Sequence, residues 1–123
     1  MAQVLVIDDD PRVRRYATLL LQFEGHCVRS ESTYADAMAA MDEGDFDVVV
    51  ADVRLGTTSG LDLLAAARRA GLLQGVQVVL HTSEPWDEIG GDADRLGLAA
   101  FVPKPAEPRS LARAVARRPR LAA

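Results

Sequence analysis

Polar side chains that could carry out chemistry follow four of the short apolar runs in this sequence. Asp8 and Asp9 follow the first run, Asp52 the third, Thr82 the fourth and Lys104 the fifth. Carboxylates that lie close together repel one another, and a divalent cation relieves this repulsion. Ligand sets made only of oxygen atoms suit Mg²⁺. The residue types therefore indicate an acidic site that binds Mg²⁺, with a hydroxyl and an ammonium group beside it.

These side chains can meet only if the apolar runs are strands of one sheet. Helical patterns separate the runs, and this alternation is typical of a parallel sheet covered by helices on both faces. The functional site of such a sheet lies beyond the carboxyl ends of its strands. We therefore predict a doubly wound α/β fold with five βα units. The predicted strands are Val4 to Ile7, Cys27 to Ser30, Val48 to Ala51, Val76 to Leu80 and Ala99 to Val102.

The first helix is the most clearly marked of the five. Asp10 is its predicted N-cap, Pro11 its first residue and Gly25 the residue that follows its end. An N-cap role for Asp10 accounts for this acid without making it a metal ligand. The predicted buried stripe consists of Val13, Tyr16, Ala17 and Leu20.

The other helices are predicted from Thr33 to Gly44, from Ser59 to Gly71, after Pro85, and from Pro108 to Pro119. The third should bury a stripe of Leu61, Leu64 and Ala65, and the fifth a stripe of Leu111, Ala114 and Val115. The fourth contains Gly90 and Gly91, each of which costs a helix interior roughly 1 kcal/mol relative to alanine. We therefore expect the fourth helix to be short or mobile.

Composition limits the class of protein. A chain of 123 residues that is 49% apolar fits a single domain over residues 1–123. The net charge of −4 argues against direct nucleic acid binding as the main activity. The single cysteine, Cys27, allows no internal disulfide and fits a reducing compartment. Because no targeting segment or membrane-spanning run is evident, we expect a cytoplasmic protein with no membrane partner.

Four motifs in order resemble the receiver domain of bacterial two-component response regulators, the CheY-like superfamily. They are "VLVIDDD", "VVVADVRL", "VVLHTS" and "AFVPKP", and Gly60, eight residues beyond Asp52, also matches. The resemblance covers essentially the whole chain. It implies a flavodoxin-like (βα)5 three-layer sandwich whose five-stranded parallel sheet has the order 2-1-3-4-5. It also implies a phosphorylation-dependent signalling switch, and not an enzyme that acts on a separate substrate.

The resemblance implies a phosphoacceptor and a metal site. Asp52 would take a phosphoryl group from the phosphohistidine of a histidine kinase or a histidine phosphotransfer protein, or from a small phosphodonor. Asp9, Asp52 and the backbone carbonyl of Arg54 would bind Mg²⁺ or Mn²⁺, and Asp8 would act through water. Lys104, the only lysine, would pair with Asp52 and later with phosphate, and a cis peptide bond would precede Pro105.

The resemblance also implies which side chains move or act when Asp52 is phosphorylated. Thr82 would move to bond the phosphoryl group, and Phe101 would rotate into the space that Thr82 vacates. Arg54 and Glu84, two residues beyond Asp52 and Thr82, would flank the phosphoryl group and tune its lifetime. Their opposite charges predict a pair that obstructs the entry of water.

Three features of the sequence depart from the family pattern. Gly56 and Thr57 replace a frequent Pro-Gly, which predicts a different loop geometry after Asp52. Pro103 suits an edge strand because it cannot donate a strand hydrogen bond. Ala106 stands where an aromatic residue is common.

Other interpretations remain open. A pseudo-receiver, a binding module of the same fold, would normally lack Asp52, Lys104 or an acid of the site, and none is missing here. A haloacid-dehalogenase-like phosphohydrolase shares the Asp8-x-Asp10 spacing but expects threonine or valine where Arg12 stands.

His81 should face away from Thr82 and serve a structural role, because side chains alternate along a strand.

The charges of the last two helices predict a partner contact. Two copies could pair acid to base through the face formed by the fourth helix, fifth strand and fifth helix, as a weak, salt-sensitive homodimer. The acids are Asp87, Glu88, Asp92 and Asp94, and the arginines are Arg109, Arg113 and Arg117. Because residues 120–123 hold no helix-turn-helix, we do not expect DNA binding through these arginines.

Overall fold

The computed structural model describes residues 1–116. Five strands form one sheet: β1 (Gln3–Ile7), β2 (Cys27–Glu31), β3 (Val48–Ala51), β4 (Gln77–Thr82) and β5 (Ala100–Pro103). Five helices follow them in turn: α1 (Pro11–Phe23), α2 (Tyr34–Glu43), α3 (Gly60–Arg69), α4 (Trp86–Asp94) and α5 (Pro108–Ala116). Two short antiparallel strands between β3 and α3, Arg54–Leu55 and Thr58–Ser59, form what we call the β3–α3 hairpin.

The strand order of the sheet is β2-β1-β3-β4-β5, and all pairs are parallel. This confirms the predicted order 2-1-3-4-5. Ile7 at the end of β1 lies opposite Ala51 at the end of β3. The residues that follow these two strands therefore emerge side by side at one edge of the sheet.

The core has two parts, one on each face of the sheet. Inward residues such as Leu5, Val49 and Leu80 pack under α2, α3 and α4, while Val4 and Val50 pack under α1 and α5. All four residues of β3 are buried because this strand lies at the centre of the sheet. The fold is thus a three-layer sandwich, as predicted.

Side chains cap the first three helices, at the residues where the sequence predicts that the helices begin. Asp10 accepts a hydrogen bond from the Arg12 amide at 2.9 Å, and Thr33 accepts one from the Asp36 amide at 3.1 Å. Ser59 accepts one from the Asp62 amide at 3.3 Å. Each bond satisfies a backbone donor that the first turn of a helix leaves unpaired.

Two predicted buried stripes were partly wrong. Helix α1 buries Ala17 and Leu21, and its Tyr16 is exposed. Helix α3 buries Leu63, Leu64 and Ala67. Leu61 and Ala65 of α3 are only partly buried. Apolar residues surround much of each helix, so packing against the sheet, and not the sequence pattern, decides which side is covered.

The last two strands and helices deviate little from the prediction. Strand β4 continues to Thr82, because the Thr82 carbonyl accepts a hydrogen bond from the Lys104 amide at 2.9 Å. Helix α4 has nine residues and is short, as expected. Helix α5 buries the predicted Leu111, Ala114 and Val115. Its predicted end at Pro119, and Arg117, lie outside the described residues.

Candidate functional site

Three carboxylates meet at the carboxyl edge of the sheet. Asp8 follows β1, Asp52 follows the adjacent β3, and Asp9 lies next to Asp8. One oxygen atom from each lies within 4.8 Å of the others. Asp8 is 2% exposed and Asp52 8% exposed, whereas Asp9 is open to solvent. Three oxygen donors on one side, with solvent on the other, fit a Mg²⁺ ion that keeps some of its water ligands.

Lys104 joins the two buried carboxylates. Its Nζ atom donates a hydrogen bond to Asp8 Oδ2 at 2.6 Å and to Asp52 Oδ2 at 2.7 Å. The Lys104–Pro105 peptide bond is cis, as the family resemblance implies. The only lysine of the chain therefore lies where it can neutralise the phosphoacceptor candidate.

Burial and pairing act in opposite directions on these charges. Burial raises the pKa of Asp8, and the hydrogen bond from Lys104 offsets only part of this effect. Burial lowers the pKa of Lys104, but its hydrogen bonds to Asp52 and Asp8 more than compensate and raise it overall. Lys104 therefore stays charged, whereas burial disfavours the charged form of Asp8, and a nearby cation reduces that cost.

Backbone contacts hold the acids in place. The Asp10 amide donates to Asp8 Oδ1 at 2.9 Å, and the Arg54 amide donates to Asp52 Oδ1 at 3.3 Å. Arg14 of α1 donates from Nη1 to the Asp8 carbonyl at 2.8 Å. Arg14 was not among the predicted site residues, although an arginine one turn after the N-cap of α1 was a signal for such a contact.

The β3–α3 hairpin closes over the exposed acid. Gly56 and Thr57 form its two-residue turn, in which Gly56 has φ +61° and Thr57 does not have a positive φ. Glycine first, with only that residue in the left-handed region, is typical of a type II′ turn. The Gly56 amide donates to Asp9 Oδ2 at 2.9 Å. The departure from Pro-Gly thus produces a tight hairpin that contacts the acidic site.

Thr82 and Phe101 lie on neighbouring strands beside this site. Thr82 is fully buried, and its Oγ1 accepts a hydrogen bond from the Glu84 amide at 3.2 Å. Phe101 is partly buried and packs with the core on the α4 side of the sheet. The predicted Arg54–Glu84 ion pair forms through Arg54 Nε and Glu84 Oε1.

His81 faces the other side of the sheet. It is buried beside a groove of about 450 Å³ that Val13, Tyr16, Pro105 and Ala106 also line. Burial, together with the nearby Lys104 charge, lowers the pKa of His81 to about 4. The direction it faces agrees with strand alternation, and the imidazole is neutral at pH 7.

His81 should make the protein less stable in mild acid. Its pKa is lower in the folded state than the ordinary 6.5, so the unfolded chain binds the proton first as pH falls. Stability is then full above pH 6.5 and declines by roughly 3 kcal/mol towards pH 4. Urea unfolding at several pH values should show a shallower decline for His81→Leu than for wild type. Parallel curves for the two proteins would contradict this assignment.

The fold and the site together define a CheY-like flavodoxin fold with an acidic, lysine-paired site at its carboxyl edge. The chain belongs to the response regulator receiver domain family, whose model matches residues 4–116. The chain is 31% identical over 115 residues to the alginate biosynthesis transcriptional regulatory protein AlgB of Pseudomonas syringae, covering 94% of this chain and 25% of that protein. It is 33% identical over 89 residues to the transcriptional regulatory protein TcrA of Mycobacterium tuberculosis, covering 72% and 35%.

Solved structures agree with this assignment. The chemotaxis response regulator CheY4 of Vibrio cholerae superposes with a TM-score of 0.87 at 26% identity, covering 95% of this chain and 98% of that one. The BeF3-activated DrrB receiver domain superposes with a TM-score of 0.80 at 28% identity, covering 95% and 99%. This chain therefore covers nearly all of these two solved chains but spans only 25% and 35% of the two regulators above. Within residues 1–116, no helix has the length and apolar character needed to cross a membrane.

Proposed function

We propose that this chain is a switch in a His-to-Asp phosphorelay and that Asp52 is its phosphoacceptor. Receiver domains of response regulators act in phosphorylation-dependent signalling, and the chain belongs to that family. The observation that carries the proposal is the Asp52 carboxylate held at 2.7 Å by Lys104, beside two further acids, at the carboxyl edge of the sheet.

The acidic cluster fits Mg²⁺ or Mn²⁺. Asp9, Asp52 and the backbone carbonyl of Arg54 would hold the ion, and Asp8 would act through a water molecule. A bound divalent cation supplies positive charge that offsets the carboxylates and the transferring phosphoryl group. The oxygen-only donor set and the solvent-exposed position of Asp9 support this assignment.

In the proposed reaction, an Asp52 carboxylate oxygen attacks the phosphorus atom of a phosphohistidine. The new O–P bond forms as the P–N bond breaks, and the imidazole leaves. Lys104 then pairs with a phosphate oxygen, Thr82 donates its hydroxyl to the phosphoryl group, and Phe101 turns inward. The chain catalyses only its own phosphorylation and dephosphorylation, so it is not an enzyme with a separate substrate.

A histidine kinase or a histidine phosphotransfer protein is the proposed partner. Such a partner must dock beside Asp52, and α1, which begins at this edge of the sheet, carries an exposed apolar stripe that runs to its last residue. The stripe consists of Tyr16, Leu19 and Phe23, and Phe23 is 88% exposed. Exposed apolar stripes of this kind commonly mark contact surfaces.

We place the protein in the cytoplasm, without direct nucleic acid binding by this domain.

Mass spectrometry after incubation with acetyl phosphate and Mg²⁺ tests the function. We expect one added phosphoryl group on wild type and none on Asp52→Ala, because the variant lacks the acceptor oxygen. Asp92→Ala, which removes an exposed acid of α4, should react like wild type. Modification that persists in Asp52→Ala would remove Asp52 from this role. An unmodified wild type would favour a pseudo-receiver, and turnover of a soluble phosphate ester would favour a phosphohydrolase.

The Arg54–Glu84 pair should lengthen the lifetime of the aspartyl phosphate. The pair joins side chains two residues beyond Asp52 and Thr82, and we infer that it obstructs in-line attack by water. Arg54→Ala and Glu84→Ala should each speed dephosphorylation about twofold to fivefold, as expected for losing an ion pair with one exposed partner. The double variant should show less than the sum of the two effects. Asp92→Ala, which breaks the exposed Asp92–Arg95 pair, serves as the control. Additive or absent effects would contradict the proposal that the Arg54–Glu84 pair obstructs water.

We also propose a weak homodimer of the phosphorylated form. The acids Asp87, Glu88, Asp92 and Asp94 are exposed on α4, and Arg109 and Arg113 are exposed on α5. Their opposite charges could pair across a two-fold axis. Sedimentation of the beryllofluoride-bound protein should show a dimer at low salt that dissociates at high salt. A monomer at low salt and high protein concentration would contradict the pairing.

A further inference from the structure

The only tryptophan of the chain packs against the backbone of its own helix. Trp86 is the first residue of α4, and Gly90 follows four residues later on the same side of the helix. A Cβ atom added to Gly90 would lie 2.7 Å from Trp86 Nε1 and 2.8 Å from its Cε2. The indole therefore occupies a position that requires glycine at residue 90.

The same indole contacts Phe101 of β5. The two ring centroids lie 5.2 Å apart, and the ring planes are inclined by 44°. This geometry falls within the range of favourable aromatic pairs. Trp86 is 39% exposed and Phe101 is partly buried, so the pair lies near the surface where α4 meets β5.

Phe101 shares its face of the sheet with Thr82. Phe101 lies opposite Leu80 in the register of β4 and β5, and Thr82 lies two residues beyond Leu80. Side chains two apart on a strand point to the same face, so Thr82 and Phe101 both point towards the α4 side. A turn of Phe101 into space vacated by Thr82 would move its ring relative to Trp86.

We propose that Trp86, packed against Gly90, holds Phe101 in its resting position and thereby opposes activation of the switch. This inference rests on the proposed function, because it concerns how readily phosphorylation of Asp52 moves Phe101. A contact made only in the resting state weakens the binding of any ligand that selects the activated state. An aromatic pair should change that equilibrium by about twofold to tenfold.

Two neighbouring glycines provide a matched test. Gly90→Ala forces the Trp86 indole away from its position against the α4 backbone, whereas a Cβ at Gly91 meets no atom within 4 Å. The probe is beryllofluoride with Mg²⁺, a mimic of the phosphoryl group, and its affinity is measured by calorimetry. Gly90→Ala and Trp86→Leu should bind it about twofold to tenfold more tightly than wild type. Gly91→Ala should bind like wild type. If Gly90→Ala fails to fold, Trp86→Leu decides the question.

Wild-type fluorescence provides a second measurement. Trp86 is the only tryptophan, so its emission should change when beryllofluoride binds and Phe101 leaves the indole. Equal or weaker affinity of both Gly90→Ala and Trp86→Leu, or unchanged emission in the bound state, would overturn the proposed role of Trp86. A wild type that does not bind beryllofluoride would contradict the proposed function itself, and with it this inference.

Discussion

Replacing Gly60 with alanine should destabilise the protein by about 3 kcal/mol or more, because the added methyl group has no room. Gly60 is the first residue of α3 and lies against the end of β3. A Cβ atom at this position would lie 1.8 Å from the Asp52 carbonyl oxygen and 2.9 Å from the carbonyl carbon. These are backbone atoms, so relief requires α3 and β3 to separate by more than an ångström.

The same substitution should slow phosphorylation of Asp52. Separation of α3 from β3 shifts the Asp52 backbone and lengthens the 2.7 Å contact between Asp52 and Lys104. Urea unfolding and the rate of labelling by acetyl phosphate measure the two effects. Gly91→Ala is the matched control, since it adds a methyl group to a helix at an open position. Stability equal to that of wild type in Gly60→Ala would show that the backbone yields without cost.

Replacing Lys104 with methionine should cost about 3 kcal/mol at neutral pH in the absence of divalent ions. Methionine keeps much of the side-chain volume but leaves Asp8 and Asp52 buried without their shared cation. Burial already raises the pKa of Asp8, so this carboxyl should take up a proton in mild acid and lessen the loss there. The destabilisation should therefore shrink as pH falls.

Divalent cations should restore much of the stability of Lys104→Met. Mg²⁺ bound by the acidic cluster would supply the positive charge that the lysine provided. Urea unfolding at pH 7.5 with chelator, and then with Mg²⁺, measures the recovery. Lys104→Arg keeps the charge and should lose less stability than Lys104→Met. A Lys104→Met protein as stable as wild type in chelator would mean that the two acids do not need this cation.

Much of the candidate site was predictable because it rests on strand ends. Asp8, Asp52 and Lys104 each follow an apolar run, and parallel strands bring such positions to one edge whatever the details of packing. Helix starts were predictable for a related reason. The caps at Asp10, Thr33 and Ser59 are bonds to amides two or three residues away, so their partners are already adjacent in the chain.

Contacts between distant segments required the tertiary structure. The hairpin bond from Gly56 to Asp9 joins residues 47 positions apart, and the two residue types alone do not indicate it. The contact between Trp86 and Phe101 depends on how α4 lies against β5. The spacing of one helical turn between Trp86 and Gly90 was a local signal for the packing of the indole on Gly90, but not for its contact with Phe101.

The sequence alone determined the α/β class, the strand order implied by its motifs, and which acids and which lysine share one edge. Only the tertiary structure decided the buried sides of α1 and α3, where Leu21 and Leu63 are covered and Tyr16 is exposed. The physical reason is that helix-capping hydrogen bonds and the alternation of apolar strands with helices depend on residues that are neighbours along the chain. The rotation of a helix on the sheet depends instead on the combined packing of many distant side chains, which no short stretch of sequence specifies.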